Sequence, residues 1–395
     1  MKIKRLFLIL FLLNLLNYID RQVLYAVFPL LQNDLGLNDL QLGTLASAFM
    51  LIYMCYAPVI GYLADRMNRP KLIALSALLW SGATLACATA KNYVSLLIPR
   101  ALIGVGECAF TTIAQPFLAE HYPKEKHASL LAIFGLALPV GSALGYVLGG
   151  VVGKHWGWRI AFMAAGIPGV FLAILAWVFL KDKSREIQTV RPTLKDYFPL
   201  FKNKPFLSVC FAQAMSTFVM GGLSAWMPMY LHRYLHVDAA QAGLQFGILV
   251  IVCGAAGTYL GGRTAAWLLT RTQNVYYKLI AGCFLATLPF CWLTLSMTHT
   301  LSVLTCLGIA LILLFMPTGA IAAALVDTTS QNIRSMAFAV NIFIIHLLGD
   351  AISPTLVGLV SDMWSLKIAV FCASLMLVPG AWVSIRTQKN QLITK

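Results

Sequence analysis

The chain has 395 residues, of which 59% are hydrophobic and only 11% are charged. A soluble domain carries about 25% charged residues, so this composition excludes an ordinary soluble enzyme or binding module. The net charge of +15 would suit a nucleic-acid partner. The basic residues stand mostly in loops between apolar runs, however, and we expect no contact with nucleic acid.

Apolar runs of about 20 residues recur along the whole chain, and each is long enough to cross ~30 Å of hydrocarbon. They predict an all-α polytopic membrane protein. Twelve transmembrane helices are predicted at residues 5–31, 38–65, 70–90, 93–120, 126–153, 157–181, 205–233, 239–271, 275–297, 300–326, 332–362 and 365–386. The first resembles a signal peptide, but no small-residue cleavage site follows, and we interpret it as an uncleaved helix.

The basic residues are divided unevenly between the loops. With the N-terminus inside the cell, the inner side holds 22 of the 29 Lys and Arg residues and the outer side holds five. Because cytoplasmic loops are enriched in Lys and Arg, both termini are predicted in the cytoplasm. For a bacterial chain the location would be the inner membrane.

Residues 180–205 form the longest polar stretch, with seven basic and three acidic residues. This stretch separates an N-terminal six-helix half (1–181) from a C-terminal half (205–395), with 182–204 as a cytoplasmic linker. Two such halves are typical of transporters that are built from repeats and bind substrate at the membrane midplane.

Charged residues stand where the membrane should exclude them. Asp20 and Arg21 lie inside the first predicted helix, and Arg100 and Glu107 lie inside the fourth. Intramembrane ionisable residues are functional candidates because they are costly unless paired. Arg100 and Glu107 are seven positions apart, so they share one helix face.

The loop after the second helix reads "GYLADRMNRPK" and resembles the signature loop of the major facilitator superfamily. The matching residues are Gly61, Asp65, Arg66, Arg69 and Lys71. Gly61 would let a neighbouring helix approach closely. Asp65 could meet a helix N-terminus or a basic side chain and so close a cytoplasmic gate. The alternative is that the basic residues only set the topology.

Two further stretches resemble superfamily patterns. "RALIGVGEC" in the fourth helix has the superfamily's arginine-glycine-glycine spacing, and "GLALPVGSALGYVLGG" in the fifth resembles a Gly/Pro motif of exporters and antiporters. Pro139, Gly141 and Gly145 lie in the latter. These glycines would allow close helix packing, and the helix would also be flexible. The second half has only an incomplete version of the loop motif, "GTYLGGRTAAWLLTR", with no acidic residue at the position that corresponds to Asp65.

A narrower resemblance covers most of the chain. "NLLNYIDR", "APVIGYLADRMNR", "PRALIGVGEC", "LPVGSALGYVLGG" and "HLLGDAISPTLVG" together are similar to the Spinster family. Members of that family carry lysophospholipids or sphingosine-1-phosphate. The resemblance therefore implies an amphiphilic lipid as the substrate.

The four charges of the first half sum to zero. Asp20 and Arg21 are adjacent and point about 100° apart, so at least one must reach another helix. The economical arrangement pairs Arg21 with Glu107 and leaves Asp20 to meet Arg100 or water. Because an arginine keeps its proton, Asp20 and Glu107 are the candidates for proton coupling. The alternative is a static ion-pair lock.

His346 and Asp350 lie one turn apart in the eleventh predicted helix, and thus on one face. Histidine titrates in the physiological range, so this pair is a second candidate for proton coupling. The alternative is a hydrogen-bonded packing histidine. Gly349 and Pro354 would give this helix a flexible point.

Arg21 and Arg100 are also candidates to hold an anionic head group, and aromatic residues would complete a half-apolar cavity. The aromatic candidates are Phe49, Tyr53, Phe110, Phe134, Phe218, Trp226, Phe338 and Phe343. Most aromatics in a membrane protein face lipid or core, which is the alternative for each of them.

These patterns predict a secondary active transporter that works by alternating access, with proton coupling and a lysophospholipid or similar amphiphile as substrate. We expect a monomer without a cofactor, metal or catalytic residue, driven by the proton gradient, since the chain lacks a phosphate-binding glycine loop. The alternatives are an exporter of drug-like or siderophore-like compounds and, in another class, a lipid scramblase or a non-transporting membrane sensor.

Overall fold

The computed structural model describes residues 2–64, 67–123, 130, 133–181, 198–270, 275–329 and 334–393. Throughout these ranges the regular structure is helical, without a strand. Twelve segments within them are long and apolar enough to span a membrane. The predicted twelve-helix fold is confirmed, whereas the side on which the termini lie stays a prediction.

The helices before the linker follow the predicted spans, except that most of residues 126–132, where the fifth helix was predicted to begin, lie outside the described residues. They are α1 (Lys2–Ala26), α2 (Phe28–Leu35), α3 (Asp39–Ala64), α4 (Arg69–Ala88), α5 (Tyr93–Glu120), α6 (Ala137–Trp156) and α7 (Trp158–Phe179). The first predicted helix was wrong in one respect, because it breaks at Val27. Pro29, in the first turn of α2, lacks the N–H that would continue the bonding pattern across this point.

The helices from residue 198 onward are more interrupted than predicted, and a short helix at Phe198–Lys202 lies within the predicted linker of residues 182–204. They are α8 (Phe198–Lys202), α9 (Lys204–Leu235), α10 (Ala239–Leu269), α11 (Val275–Ser296), α12 (Thr300–Phe315), α13 (Thr318–Asp327), α14 (Arg334–Ile345), a π-helical turn (His346–Asp350), α15 (Ser353–Met363), α16 (Leu366–Ser374) and α17 (Leu377–Ile393). The predicted tenth, eleventh and twelfth helices are therefore each divided.

A proline accompanies each of these divisions. The gap before α13 contains Pro317. The second residue of α15 is Pro354, and the third residue of α17 is Pro379. Each removes one helical hydrogen bond to a carbonyl four residues earlier. Other prolines, such as Pro99 in α5, lie inside continuous helices, so a proline permits a break without enforcing one.

The chain forms two compact units. One comprises Met1–Glu186 with Ala225–Ile248, and the other comprises Ile187–Ser224 with Leu249–Lys395. The division of the chain at residues 181 and 205, based on the linker, stays a prediction about sequence halves. In the first unit, part of α9 and α10 packs with the helices before the linker.

Glycines of α6 set its distance from α1. A Cβ added at Gly141 would lie 2.6 Å from the Leu15 carbonyl oxygen, and one at Gly145 would lie 2.5 Å from the Ile19 carbonyl oxygen. Only glycine permits this approach, so the predicted close packing of these two motif glycines is confirmed. The contact fixes the register of α1 just where it carries Asp20 and Arg21.

Candidate functional site

The centre of the site is an ion pair between α1 and α5. Arg21 Nε donates to Glu107 Oε2 at 2.7 Å. The side chain of Glu107 is fully buried, and that of Arg21 is 17% exposed. A charge-assisted hydrogen bond of this kind is among the stronger polar contacts in proteins. The pairing predicted from charge balance is present.

Aromatic rings surround the guanidinium of Arg21. The Arg21 Cζ lies 5.3 Å from the ring centre of Tyr18, 5.0 Å from that of Phe49 and 5.2 Å from that of Tyr53. The Phe49 ring also lies 5.5 Å from Arg100 Cζ. Cation–π attraction thus holds both arginines beside one ring, and two of the predicted cavity aromatics belong to the charged site.

Asp20 has a partner that the sequence did not single out. The hydroxyl of Thr84 on α4 donates to Asp20 Oδ2, and Asp20 is only 2% exposed. Its other oxygen, Oδ1, has no hydrogen-bond partner among the described residues. A neutral threonine in an apolar helix gives no signal in the sequence, because such residues commonly bond their own backbone.

Of the two intramembrane arginines of the first half, Arg100 is the one without a carboxylate partner in the described part of the chain. It is 1% exposed, and its Nε and Nη1 atoms lack hydrogen-bond partners. The contact between Asp20 and Arg100, which the sequence left open against water, is absent among the described residues. A buried guanidinium with unused donors is suited to an anion.

Amides of α1 extend the polar surface. Asn14 donates to the Phe134 carbonyl oxygen at 3.0 Å, and Gln22 lies 3.5 Å from Ser142 Oγ. Asn17 is fully buried, and neither of its side-chain polar atoms has a partner in the part of the chain that the structure describes. These amides are neutral, so the charge pattern of the sequence did not predict them.

The second predicted pair lies in the other unit. His346 Nδ1 lies 2.8 Å from Asp350 Oδ1, with the two side chains 26% and 22% exposed. Both lie in the π-helical turn, where Gly349 leaves the helical region at φ −107° and ψ −110°. The predicted shared face and the irregular point at Gly349 are present, whereas flexibility stays a prediction.

Polar residues of α9 and α14 adjoin this turn. Asn341 Nδ2 donates to Gln213 Oε1 at 2.9 Å. A Cβ added at Gly221 would lie 2.7 Å from both Asp350 Cβ and Ser353 Oγ, so α9 packs tightly on the turn. The Gln213–Asn341 bond was not predicted, because neutral polar residues in apolar helices give no signal in the sequence.

The remaining aromatic candidates do not share one environment. Phe110 is buried against Trp80, with ring centres 5.4 Å apart, and Trp226 is buried against Phe28, also at 5.4 Å. Those two are packing residues, as the alternative interpretation held. The other four are Phe134 and Phe218, which are buried, Phe338, which is half-buried, and Phe343, which is exposed.

Comparison with known proteins identifies the family. A model described as the Major Facilitator Superfamily matches residues 10–354. The Sphingosine-1-phosphate transporter SPNS2 of Mus musculus is 30% identical over 374 residues, covering 89% of this chain and 68% of that protein. Protein spinster homolog 1 of Xenopus tropicalis is 32% identical over 384 residues, covering 90% and 72%. The chain belongs to the Spinster family of the major facilitator superfamily.

A solved structure agrees with the fold of this Spinster-family chain. A bacterial homologue of the human lysosomal transporter Spinster, in an inward-facing and unoccupied conformation, gives a TM-score of 0.90 at 21% identity and covers 98% of this chain and 97% of that one. At this identity the likeness shows the fold alone. Family membership makes the chain an integral multi-pass membrane transporter rather than an enzyme, as predicted.

The residues predicted to form a cytoplasmic gate are only partly described by the structure. Gly61 lies in α3, whereas Asp65 and Arg66 lie outside the described residues. Arg69 forms a bidentate pair with Glu120 at the end of α5, at 2.9 and 2.7 Å. The ammonium of Lys71 lies 5.8 Å from the Trp177 ring centre. The gating role of the five residues stays a prediction.

The structure adds a bidentate pair that the sequence gave no reason to expect. Arg233 on α9 donates to both carboxylate oxygens of Asp39 at the start of α3, each at 2.8 Å. It also donates to Gln32 Oε1 at 3.2 Å. The side chain of Asp39 is 5% exposed. Two opposite charges 194 positions apart could have been matched only through the tertiary packing.

An ion pair joins Asp34 of α2, which lies outside the spanning segments, to Arg159 at the start of α7. Arg159 Nη1 donates to Asp34 Oδ2 at 2.7 Å, and Trp158 Nε1 donates to the same oxygen at 2.9 Å. These hydrogen bonds lower the pKa of Asp34 below its ordinary value. In the same way the Lys154 ammonium, 3.0 Å away, lowers the pKa of Asp238.

Proposed function

We propose that this chain carries a lysophospholipid or a related anionic amphiphile across the membrane by alternating access, coupled to protons. The observation that carries the proposal is the buried Arg21–Glu107 pair between α1 and α5. The names of relatives support the substrate class: SPNS2 is a sphingosine-1-phosphate transporter, and the Arabidopsis thaliana spinster homolog 1 is a probable sphingolipid transporter.

The proton would act on the carboxylates. An arginine keeps its proton, so Asp20 and Glu107 are the titratable members of the charge-neutral group. Protonation of Glu107 would remove the charge that holds Arg21 and leave α1 free of its tie to α5. The same event would turn the Arg21 guanidinium toward another acceptor, such as an anionic substrate.

The head group would meet Arg100. Its Nε and Nη1 atoms have no hydrogen-bond partner among the described residues, and phosphate oxygens accept strong hydrogen bonds from guanidinium N–H groups. Phe49 lies beside both arginines, so an alkyl chain next to the head group would find an apolar surface.

The test is transport by the purified protein in proteoliposomes. Labelled lysophosphatidylcholine, sphingosine-1-phosphate and a cationic drug would be offered with and without an imposed pH gradient. We expect gradient-dependent movement of a lysolipid and its loss in Glu107→Gln. Glu120→Gln is the matched control, because Glu120 pairs with Arg69 at the end of α5 and should leave proton coupling intact.

Other outcomes point to the alternatives. Bidirectional lipid movement that ignores the gradient would identify a scramblase. Transport of the drug without any lysolipid would favour an exporter of drug-like compounds. Wild-type rates in Glu107→Gln under the gradient would make the Arg21–Glu107 pair a static lock and would move the coupling site to Asp20 or to the His346–Asp350 pair.

A further inference from the structure

The hydroxyl of Thr84 lies between two acceptors. It is within hydrogen-bond distance of Asp20 Oδ2 and 3.0 Å from the Trp80 carbonyl oxygen one turn earlier on α4. Thr84 is fully buried, and Asp20 is 2% exposed. A hydroxyl has one proton to donate and lone pairs with which to accept. It therefore cannot serve both acceptors fully at the same time.

The two acceptors correspond to two protonation states of Asp20. When Asp20 is ionised, the Thr84 hydroxyl donates to its carboxylate. When Asp20 is protonated, the carboxylic acid donates to Thr84 Oγ, and the Thr84 proton turns to the Trp80 carbonyl oxygen. Both states keep a complete hydrogen bond with the same heavy-atom positions, and only hydrogens move.

We propose that Thr84 is a positioning residue that lets Asp20 gain and lose a proton inside the membrane without rearrangement of the helices α1 and α4. The inference rests on the proposed function, since it assumes that Asp20 takes part in proton coupling. The inference goes beyond the proposed function because it gives the two carboxylates different roles. Asp20 would exchange its proton in place, whereas Glu107 would release Arg21 when protonated.

The surroundings of Asp20 leave Thr84 as its sole hydrogen-bond partner in the described part of the chain. The ionisable groups that act on its charge are Arg21 on α1, Arg100 and Glu107 on α5, and Cys87 on α4. Arg21 is bound to Glu107. The neighbouring helices α6 and α7 carry no acidic side chain, and their Lys, Arg and His residues lie at Lys154, His155 and Arg159, near the ends of the two helices.

Thr84→Val tests the proposal, because it removes the hydroxyl and nearly keeps the side-chain shape. A hydrogen bond to a carboxylate is stronger than one to a neutral acid, so the loss disfavours the ionised form of Asp20. We expect the midpoint of pH-driven uptake to move to higher pH, by roughly half a unit or more. Thr84→Ser, which restores the hydroxyl, should return the wild-type profile.

Thr287→Val is the matched control. Thr287 on α11 is also fully buried and donates to the carbonyl of Cys283 one turn earlier, at 2.8 Å, but the structure gives it no carboxylate partner. This variant should leave the pH midpoint in place. An equal shift in Thr287→Val, or none in Thr84→Val, would show that Thr84 only packs.

A spectroscopic measurement keeps this inference separate from the proposed function. In pH-difference infrared spectra of the purified protein, the carboxyl band that disappears in Asp20→Asn should shift in Thr84→Val and return in Thr84→Ser. A shift without pH-driven uptake by the wild-type chain would support the exchange site and contradict the transport proposal. An Asp20 band that ignores the Thr84 substitutions would overturn the inference.

Discussion

Two ionic pairs in the described part of the spanning segments, Arg21–Glu107 and His346–Asp350, are built differently. Arg21–Glu107 joins α1 to α5 and has one fully buried partner. His346–Asp350 joins neighbouring turns of one interrupted helix, and about a quarter of each side chain is exposed. A change of charge in the first pair therefore acts on the contact between two helices. A change in the second acts on the geometry of a single turn.

Burial separates the two pairs energetically as well. Removing one partner of a buried pair leaves an unpaired charge and costs about 3–5 kcal/mol. A partly exposed pair is screened by solvent and contributes about 1 kcal/mol or less. The first pair can therefore govern both stability and helix movement, whereas the second can adjust pH dependence with little effect on the fold.

The largest expected effect comes from breaking the first pair on one side only. Glu107→Ala should lower the free energy of unfolding by about 3–5 kcal/mol, because Arg21 stays buried without its partner. Arg21→Ala should have a similar effect. The double variant should recover much of the loss, since no unpaired charge remains, but it should not transport. Thermal unfolding of the four proteins in detergent measures the coupling between the two residues.

Additive losses in that experiment would contradict the pairing. If the double variant is as unstable as the sum of the two single variants, the residues act independently. Burial of the Arg21–Glu107 pair would then not make its contribution to the free energy of unfolding larger than that of His346–Asp350.

His346→Gln should have a smaller effect of another kind. Because histidine titrates between about pH 5 and 8, this variant should lose part of the pH dependence of transport while substrate affinity and thermal stability change little. His232→Gln serves as the control, since His232 Nδ1 contacts only the Val237 carbonyl oxygen, at 2.9 Å, in the described contacts. A wild-type pH profile in His346→Gln would make His346 a packing residue.

The contrast also shows what the sequence could predict. Hydropathy was enough for twelve spanning helices, and charge balance was enough for the Arg21–Glu107 pair. The breaks at Val27 and at the π-helical turn could not be predicted, because prolines occur both at these breaks and inside continuous helices such as α5. The role of Thr84 could not be predicted, because a neutral threonine in an apolar helix has no large burial penalty that would mark it as functional. Its meaning depends on which carboxylate the tertiary packing places beside it.

The smallest effect, and the sharpest contrast with the buried Arg21–Glu107 pair, is expected at Asp34–Arg159, where more than 40% of each side chain is exposed. The hydrogen bonds from Arg159 and Trp158 hold the pKa of Asp34 below its ordinary value of 3.8. The stabilisation is therefore present at neutral pH, and it is lost as the pH falls through this lowered value. Asp34→Asn should reduce the melting temperature slightly at pH 7, and the difference from wild type should shrink as the pH falls below 3.8 and through the lowered pKa of Asp34. Trp158→Phe, which keeps Arg159, should reproduce part of the effect.

A difference in melting temperature that persists at low pH would show that the amide of Asp34→Asn disturbs packing instead. A difference that vanishes already near pH 6 would mean that a group other than Asp34 is responsible.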